Sequence, residues 1–255
     1  MKKIVLAVVT GLVLFASCKK DDTKEKVFKG PVQQFHSGKI WTWYEVNDSN
    51  QPVRLAVAID DAAINSLPTT GEGHMHENMA SLKFHQKALD GTPFNHVGFG
   101  WNPNGHEPEN IYTRPHFDLH FNMITEAYRD AIPPYEVDSV KFKNVPGPAY
   151  FPTNYFNPGG GVPQMGAHWL DVTSPEFSGQ IFTETFIYGS FDGNVIFYEP
   201  MITLAFIKAN PSWERAIPQP AKVQKTGYYP TKLRIQKADG VTNFILDGFV
   251  LRQAS

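Results

Sequence analysis

Cysteine is nearly missing from this chain: Cys18 is the only one among 255 residues. A disulfide framework is therefore excluded, and so are thiolate metal sites and cysteine catalysis in the body of the protein. Charge is sparse as well, at 19% of residues with a formal net charge of -2. No Lys/Arg cluster follows the first 30 residues, which excludes an obligate nucleic-acid binder. The sequence has no GxSxG elbow, no P-loop and no GxGxxG opening a helix. Its carboxylates are not paired as in a glycosidase. Gly159-Gly160-Gly161 runs into Val162-Pro163 and so makes no phosphate cradle. The apolar run from Ile4 to Phe15, broken by Thr10 and Gly11, falls short of the roughly 20 residues that cross a bilayer.

Aromatics, glycine and proline are plentiful: Phe 19, Tyr 10, Trp 5, Gly 20 and Pro 20. With 42% hydrophobic residues the composition is globular, rich in turns and suited to a β core. A coiled coil or helical bundle does not fit it.

The N-terminus reads as an address. Lys2 and Lys3 precede the apolar run, and Ala16 and Ser17 are small, so residues 1–17 have the form of a secretory signal. Leu14-Phe15-Ala16-Ser17-Cys18 looks like a bacterial lipobox, which makes Cys18 the lipidated N-terminus of the mature chain. Loss of Lys2 and Lys3 leaves 21 basic against 25 acidic residues. Residues 18–30 read as lipidated Cys and charged tether, and residues 31–255 as one β-rich domain. The expected location is the cell envelope, as an outer-membrane-anchored lipoprotein that is periplasmic or surface-exposed. The expected partners are the membrane, through Cys18, and a small-molecule or glycan ligand.

Strand character recurs at Lys39–Val46, Val53–Ile59, Ala80–His85, Asn95–Trp101, Pro115–Ile124 and Val137–Lys143. Asp60–Leu67 reads as a helical turn ended by Pro68, and Thr125–Ala131 as a short helix capped by Thr125. Residues 144–164 form a Pro-punctuated loop whose aromatics, Tyr150, Phe151, Tyr155 and Phe156, pin it down or line a cleft. Gln180–Tyr188 and Asn194–Ile207 form a hairpin turning at Asp192-Gly193. Tyr228–Gln236 and Val241–Leu251 form another, turning at Asp239-Gly240. The whole is a mainly β single domain, a sandwich or barrel-like fold with a few short helices.

All nine His lie between residues 36 and 168. In Pro115-His116-Phe117-Asp118-Leu119-His120-Phe121, a strand puts His116, Asp118 and His120 on one face and the apolar residues on the other. Two imidazoles and a carboxylate on one face suit a divalent transition metal: zinc first, iron or manganese as alternatives. Phe117 stands where a zincin would need Glu. His168, after the Gly-rich loop, is the expected third ligand, and Glu199, inside an apolar strand, the fourth. Asp118 is expected to orient a ligand or act as a base, and Glu184, His106 and Glu107 are alternative ligands. His74-Met75-His76 reads as a loop with at most a weak metal-capture role.

Several strings form an ordered signature: Gly105-His106-Glu107-Pro108, Pro115 to Phe121, Met165-Gly166-Ala167-His168-Trp169, Tyr188-Gly189, and Phe197-Tyr198-Glu199-Pro200-Met201. Together they resemble a bacterial family of secreted and lipid-anchored domains named after a hypothetical Thermus protein. The resemblance spans about residues 38–210, treated as one unit. It implies an extracytoplasmic domain whose motif residues include His116, Asp118, His120, His168 and Glu199, and it implies no activity. Two other readings compete with a metal site. One is a non-catalytic binding module for a sugar, peptide or envelope partner. The other is a structural envelope protein with a His hydrogen-bond network.

Overall fold

The computed structural model describes residues 26–71 and 76–255. The signal, the lipobox with Cys18, most of the tether, His74, Met75 and the side chain of His76 lie outside the described residues. The chain opens with β1 (Lys26–Lys29), β2 (Gln33–Phe35), β3 (Gly38–Val46) and β4 (Pro52–Asp60). Next come β5 (Met79–Lys83), β6 (His96–Asn102), β7 (His116–Asn122), β8 (Tyr155–Phe156), β9 (Ala167–Asp171), β10 (Glu184–Phe191) and β11 (Asn194–Thr203). It closes with β12 (Ser212–Ala216), β13 (Gly227–Tyr229), β14 (Lys232–Ala238), β15 (Val241–Asp247) and β16 (Val250–Arg252).

Among the described residues two large antiparallel sheets result, and β13 and β16 pair as a small third one. One large sheet runs β1-β3-β4-β15-β14-β12 and the other β5-β6-β7-β11-β10-β9-β8. Both paths stay open at their ends, so the fold is a sandwich and the barrel-like alternative is set aside. The middle of the chain builds the second sheet, and the two ends of the chain build the first. β1 lies within the stretch read as tether and pairs with β3, Phe28 opposite Tyr44.

Alternation decides which side chains meet between the sheets. Leu55, Val57 and Ile59 of β4 join Val97, Phe99 and Trp101 of β6 and Phe117, Leu119 and Phe121 of β7 in one core. Phe244 of β15 reaches across to Phe99 and Phe117, with ring centroids 6.4 and 5.8 Å apart. The hairpin turns follow the sequence. Asp192-Gly193 and Asp239-Gly240 all have positive φ, as tight turns between twisted strands require.

Five short helices punctuate the sheets: α1 (Asp61–Asn65), α2 (Gln86–Gly91), α3 (Glu126–Asp130), α4 (Ser139–Lys143) and α5 (Leu204–Ala209). Thr125 caps α3 through the Tyr128 amide, as its position suggests.

Some expectations need correction. Val137–Lys143 is no strand: the Asp138 carboxylate caps α4 through the Lys141 amide, and Val137 and Val140 point into solvent. The strand expected over Asn194–Ile207 stops at Thr203, whose hydroxyl caps α5. Tyr228 lies in β13, which pairs with β16 and not with β15. Val241–Leu251 is likewise broken after Asp247.

Two of the loop aromatics are structural. Phe151 stacks on Trp169 at 3.8 Å between centroids, and the buried Tyr155 hydroxyl donates to the Phe186 carbonyl. Neither is free to form a binding platform. No helix among the described residues is long and apolar enough to cross a membrane.

Candidate metal centre

The inner faces of β6 and β7 fill the core, so their outer faces should meet water. They do not: all seven residues of each strand are buried. The loop from residue 103 to 115 and the Gly-rich loop around residue 160 line a cavity together with the outer face. His116, Asp118 and His120 stand on one face of β7 as the alternation predicts.

Register brings their partners. Tyr198 opposite Phe121 and Met201 opposite Asp118 put Glu199 level with His120 across the β7–β11 pair. Glu199 also faces Ile187 of β10, while His168 of β9 lies opposite Gly189, which lies opposite Phe197. His120, His168 and Glu199 thus share the outer face. His120 Nε2 stands 3.2 Å from Glu199 Oε1, and His168 Nε2 stands 3.8 Å from Oε2. Phe197, fully buried, packs against both imidazoles, with its ring 4.8 Å from His120 and 5.4 Å from His168, whose own rings lie 6.2 Å apart. That position exists because residue 189 is glycine. A Cβ there would lie 2.1 Å from the Phe197 ring.

The other half of the signature forms a separate group. His106, His116 and Asp118 bring one ligand atom each to within 4.8 Å of one another, as do His120, His168 and Glu199. His116 was expected in the same shell as His120. Instead its Nε2 faces Asp118 Oδ1 at 3.0 Å, and His106 Nε2 meets Asp118 Oδ2 at 3.2 Å. Positions 116 and 120 share a face, but different neighbours surround them. His106 reaches β7 because Gly105, at φ +70°, lets the loop turn back so that the His106 amide bonds the Tyr112 carbonyl. A side chain on Gly105 would strike that carbonyl at 2.1 Å.

Sequence reasoning missed Asn102 outright, and it placed Gly189 and Phe197 in the signature without giving them a part in the site. Asn102 sits opposite His116, and its amide donates to Asp118 Oδ2 at 2.7 Å. The one signal for it is a polar residue ending an otherwise apolar strand. Glu184, an alternative ligand by sequence, belongs elsewhere. It is of opposite parity to Ile187 on β10, so it leaves the sheet on the other side and pairs with Arg215 Nη1 at 2.9 Å. The Glu107 side chain is exposed and lies in neither group, although its carbonyl accepts from His106 Nδ1.

The two carboxyl groups differ electrostatically. Burial opposes the charge on Asp118, but the His116 and His106 rings outweigh it and hold the carboxyl well below the usual range. His106 is correspondingly raised: burial works against its charge and Asp118 favours it. Glu199 has no such help. Burial pushes it well above the usual carboxylate range, and the charge of Asp118 pushes it further. Its Oε2 accepts no hydrogen bond.

Over both groups lies a cavity of about 800 Å³, reached by His106, Asp118, His120, His168, Glu199 and Met201. That is the size of a small-molecule site.

Residues 47–101 match the model of the TTHB210-like family, described as hypothetical protein TTHB210. This is the Thermus-named family expected from the sequence, although the residue strings from 105 to 201 lie outside the matched segment. The matched segment runs from just after β3 to Trp101 and ends before every residue of the site. No curated protein and no solved structure matches the chain.

Proposed function

We propose that the protein is a lipid-anchored, extracytoplasmic protein that binds a divalent transition metal through His120, His168 and Glu199. One observation carries this reading: two imidazole nitrogens and a carboxylate converge within 4.8 Å on a buried strand face where solvent would otherwise be. Two His and one carboxylate are a sufficient set for zinc or for ferrous iron, with a position left for water or substrate. The cavity above gives such a ligand room, and a small molecule or glycan fits its volume. A cation here also answers a cost that the apo site carries. Glu199 is 2% exposed, and among the described residues only His120 and His168 stand within ion-pair distance of it. The lipid anchor is proposed from the lipobox at Cys18 alone.

Elemental analysis of the full-length, untagged protein after zinc reconstitution tests the metal, with His168→Ala and Glu199→Gln for comparison. The reading expects each substitution to remove one zinc per chain while circular dichroism stays unchanged. A zinc content that neither substitution lowers contradicts it. Labelled palmitate incorporated by the parent but not by Cys18→Ser tests the anchor.

A further inference from the structure

The outer face holds more ligand than one ion needs. We infer that His106, His116 and Asp118 hold a metal ion of their own, beside the one proposed at His120, His168 and Glu199. The inference rests on reading this face as metal-binding, but its geometry is independent.

Three observations carry it. First, the ligand atoms have the right spacing. His116 Nε2 and His106 Nε2 lie 3.0 and 3.2 Å from the two Asp118 oxygens. Bonds of 2.0–2.1 Å in a tetrahedron place neighbouring ligand atoms about 3.3 Å apart.

Second, every ligand is held from behind. His116 Nδ1 donates to the Arg114 carbonyl and His106 Nδ1 to the Glu107 carbonyl, each at 2.6 Å, and Asn102 donates to Asp118. Backbone carbonyls on the far ring nitrogen fix metal-bound imidazoles; His106 Nε2 hydrogen-bonds Asp118 Oδ2 at 3.2 Å, and the ion would take the place of that proton.

Third, the His116–Asp118 contact lacks hydrogen-bond geometry despite its 3.0 Å length. His116 is fully buried, and neither Nε2 nor Asp118 Oδ1 has another hydrogen-bond partner. Nδ1 donates to Arg114, and Nε2 and Oδ1 stand close without bonding each other, so both atoms are left to face a common third position. Two buried ligand atoms placed so suit a cation between them.

Each group brings its own carboxylate, and Asp118 and His120 are two strand steps apart, roughly 7 Å along β7. Ions that share one bridging carboxylate sit about 3.5–4 Å apart. The two groups therefore act as neighbouring sites that can be emptied separately. The set of two imidazoles and one carboxylate suits zinc or ferrous iron. His106, with 28% of its side chain exposed, marks the side on which the ion opens toward the cavity.

The test is zinc counted per chain by elemental analysis in the full-length protein and in His106→Ala and His168→Ala, each also loaded with cobalt(II) for its visible spectrum. The inference expects two zinc ions in the parent and one in each variant, with a different cobalt band lost in each. His106 is on the rim, so its loss should leave the fold intact. The isosteric Asp118→Asn must lose the same ion as His106→Ala. One ion that survives His106→Ala and is lost in His168→Ala overturns the inference and spares the proposed function. One ion lost in His106→Ala and kept in His168→Ala upholds the inference and overturns the proposed function. Two ions retained in His106→Ala, or none in the parent, overturn the inference.

Discussion

Gly189→Ala should damage the site more than its single methyl group suggests, and Gly98→Ala should not. Both glycines lie on the outer face of the second sheet, opposite Phe197 and His120 respectively. An added Cβ at 189 falls 2.1 Å from two atoms of the Phe197 ring, closer than any real contact, and that ring is fully buried against His120 and His168. The ring has to move, which moves the imidazoles. Overpacking of this kind costs about 1–3 kcal/mol. In a chain of this size that lowers Tm by roughly 2–12 °C.

At Gly98 the added Cβ meets the His120 Cβ at 3.6 Å and the Asn122 amide at 3.7 Å, which is ordinary contact. Alanine there also restricts the unfolded chain and stabilises by about 0.4–1 kcal/mol. Thermal unfolding and zinc titration of the two variants make the comparison. Gly189→Ala should lose stability and bind zinc at least tenfold more weakly, while Gly98→Ala keeps both. Wild-type Tm and zinc affinity in Gly189→Ala would refute the idea that Phe197 holds the imidazoles in place.

Other outcomes follow from particular contacts. His96 is buried and accepts from Arg129 Nη1 at 3.2 Å; burial first and Arg129 second lower its pKa to about 4. Its neutral form is the native one, so its contribution is complete above pH 6.5 and is lost as pH falls toward 4. The loss amounts to about 3 kcal/mol. Denaturant unfolding of the chelated protein should show that slope in the parent and a flatter one in His96→Gln; equal slopes would contradict the assignment. Phe151→Ala empties a buried stack against Trp169 and should cost about 3–5 kcal/mol, read as a large fall in Tm. An unchanged Tm would return Phe151 to the role of binding aromatic. EDTA should lower the parent's Tm to that of the triple variant His116→Ala, His120→Ala, His168→Ala. Saturation at about 100 times Kd is worth roughly 2.7 kcal/mol. A parent insensitive to EDTA would favour a His hydrogen-bond network.

The elements readable in the sequence were those whose physics is local. Asp-Gly turns announce positive φ, and strict alternation from His116 to Phe121 sorts polar from apolar whatever lies around it. Alternation misled at Val137–Lys143, where a local Asp138 cap outweighed it and the valines had no core to enter. β12 was invisible because Ser212–Ala216 is a half-exposed edge strand with no apolar run.

At the site, alternation could name the face but not the neighbours. That His116 answers to His106, and His120 to Glu199, depends on where a loop turns back and on the β7–β11 register, neither of which is local. Glu184 and Glu199 looked alike as acids in apolar strands. Sheet parity, not composition, sends one to Arg215 and the other to the imidazoles.

The most direct test is anomalous diffraction at the zinc edge from crystals of the zinc-loaded protein. The account predicts a peak within about 2.0–2.2 Å of His120 Nε2, His168 Nε2 and a Glu199 oxygen. A clean map there, with zinc only at surface residues or with the imidazoles bonded solely to their carboxylates, would contradict it.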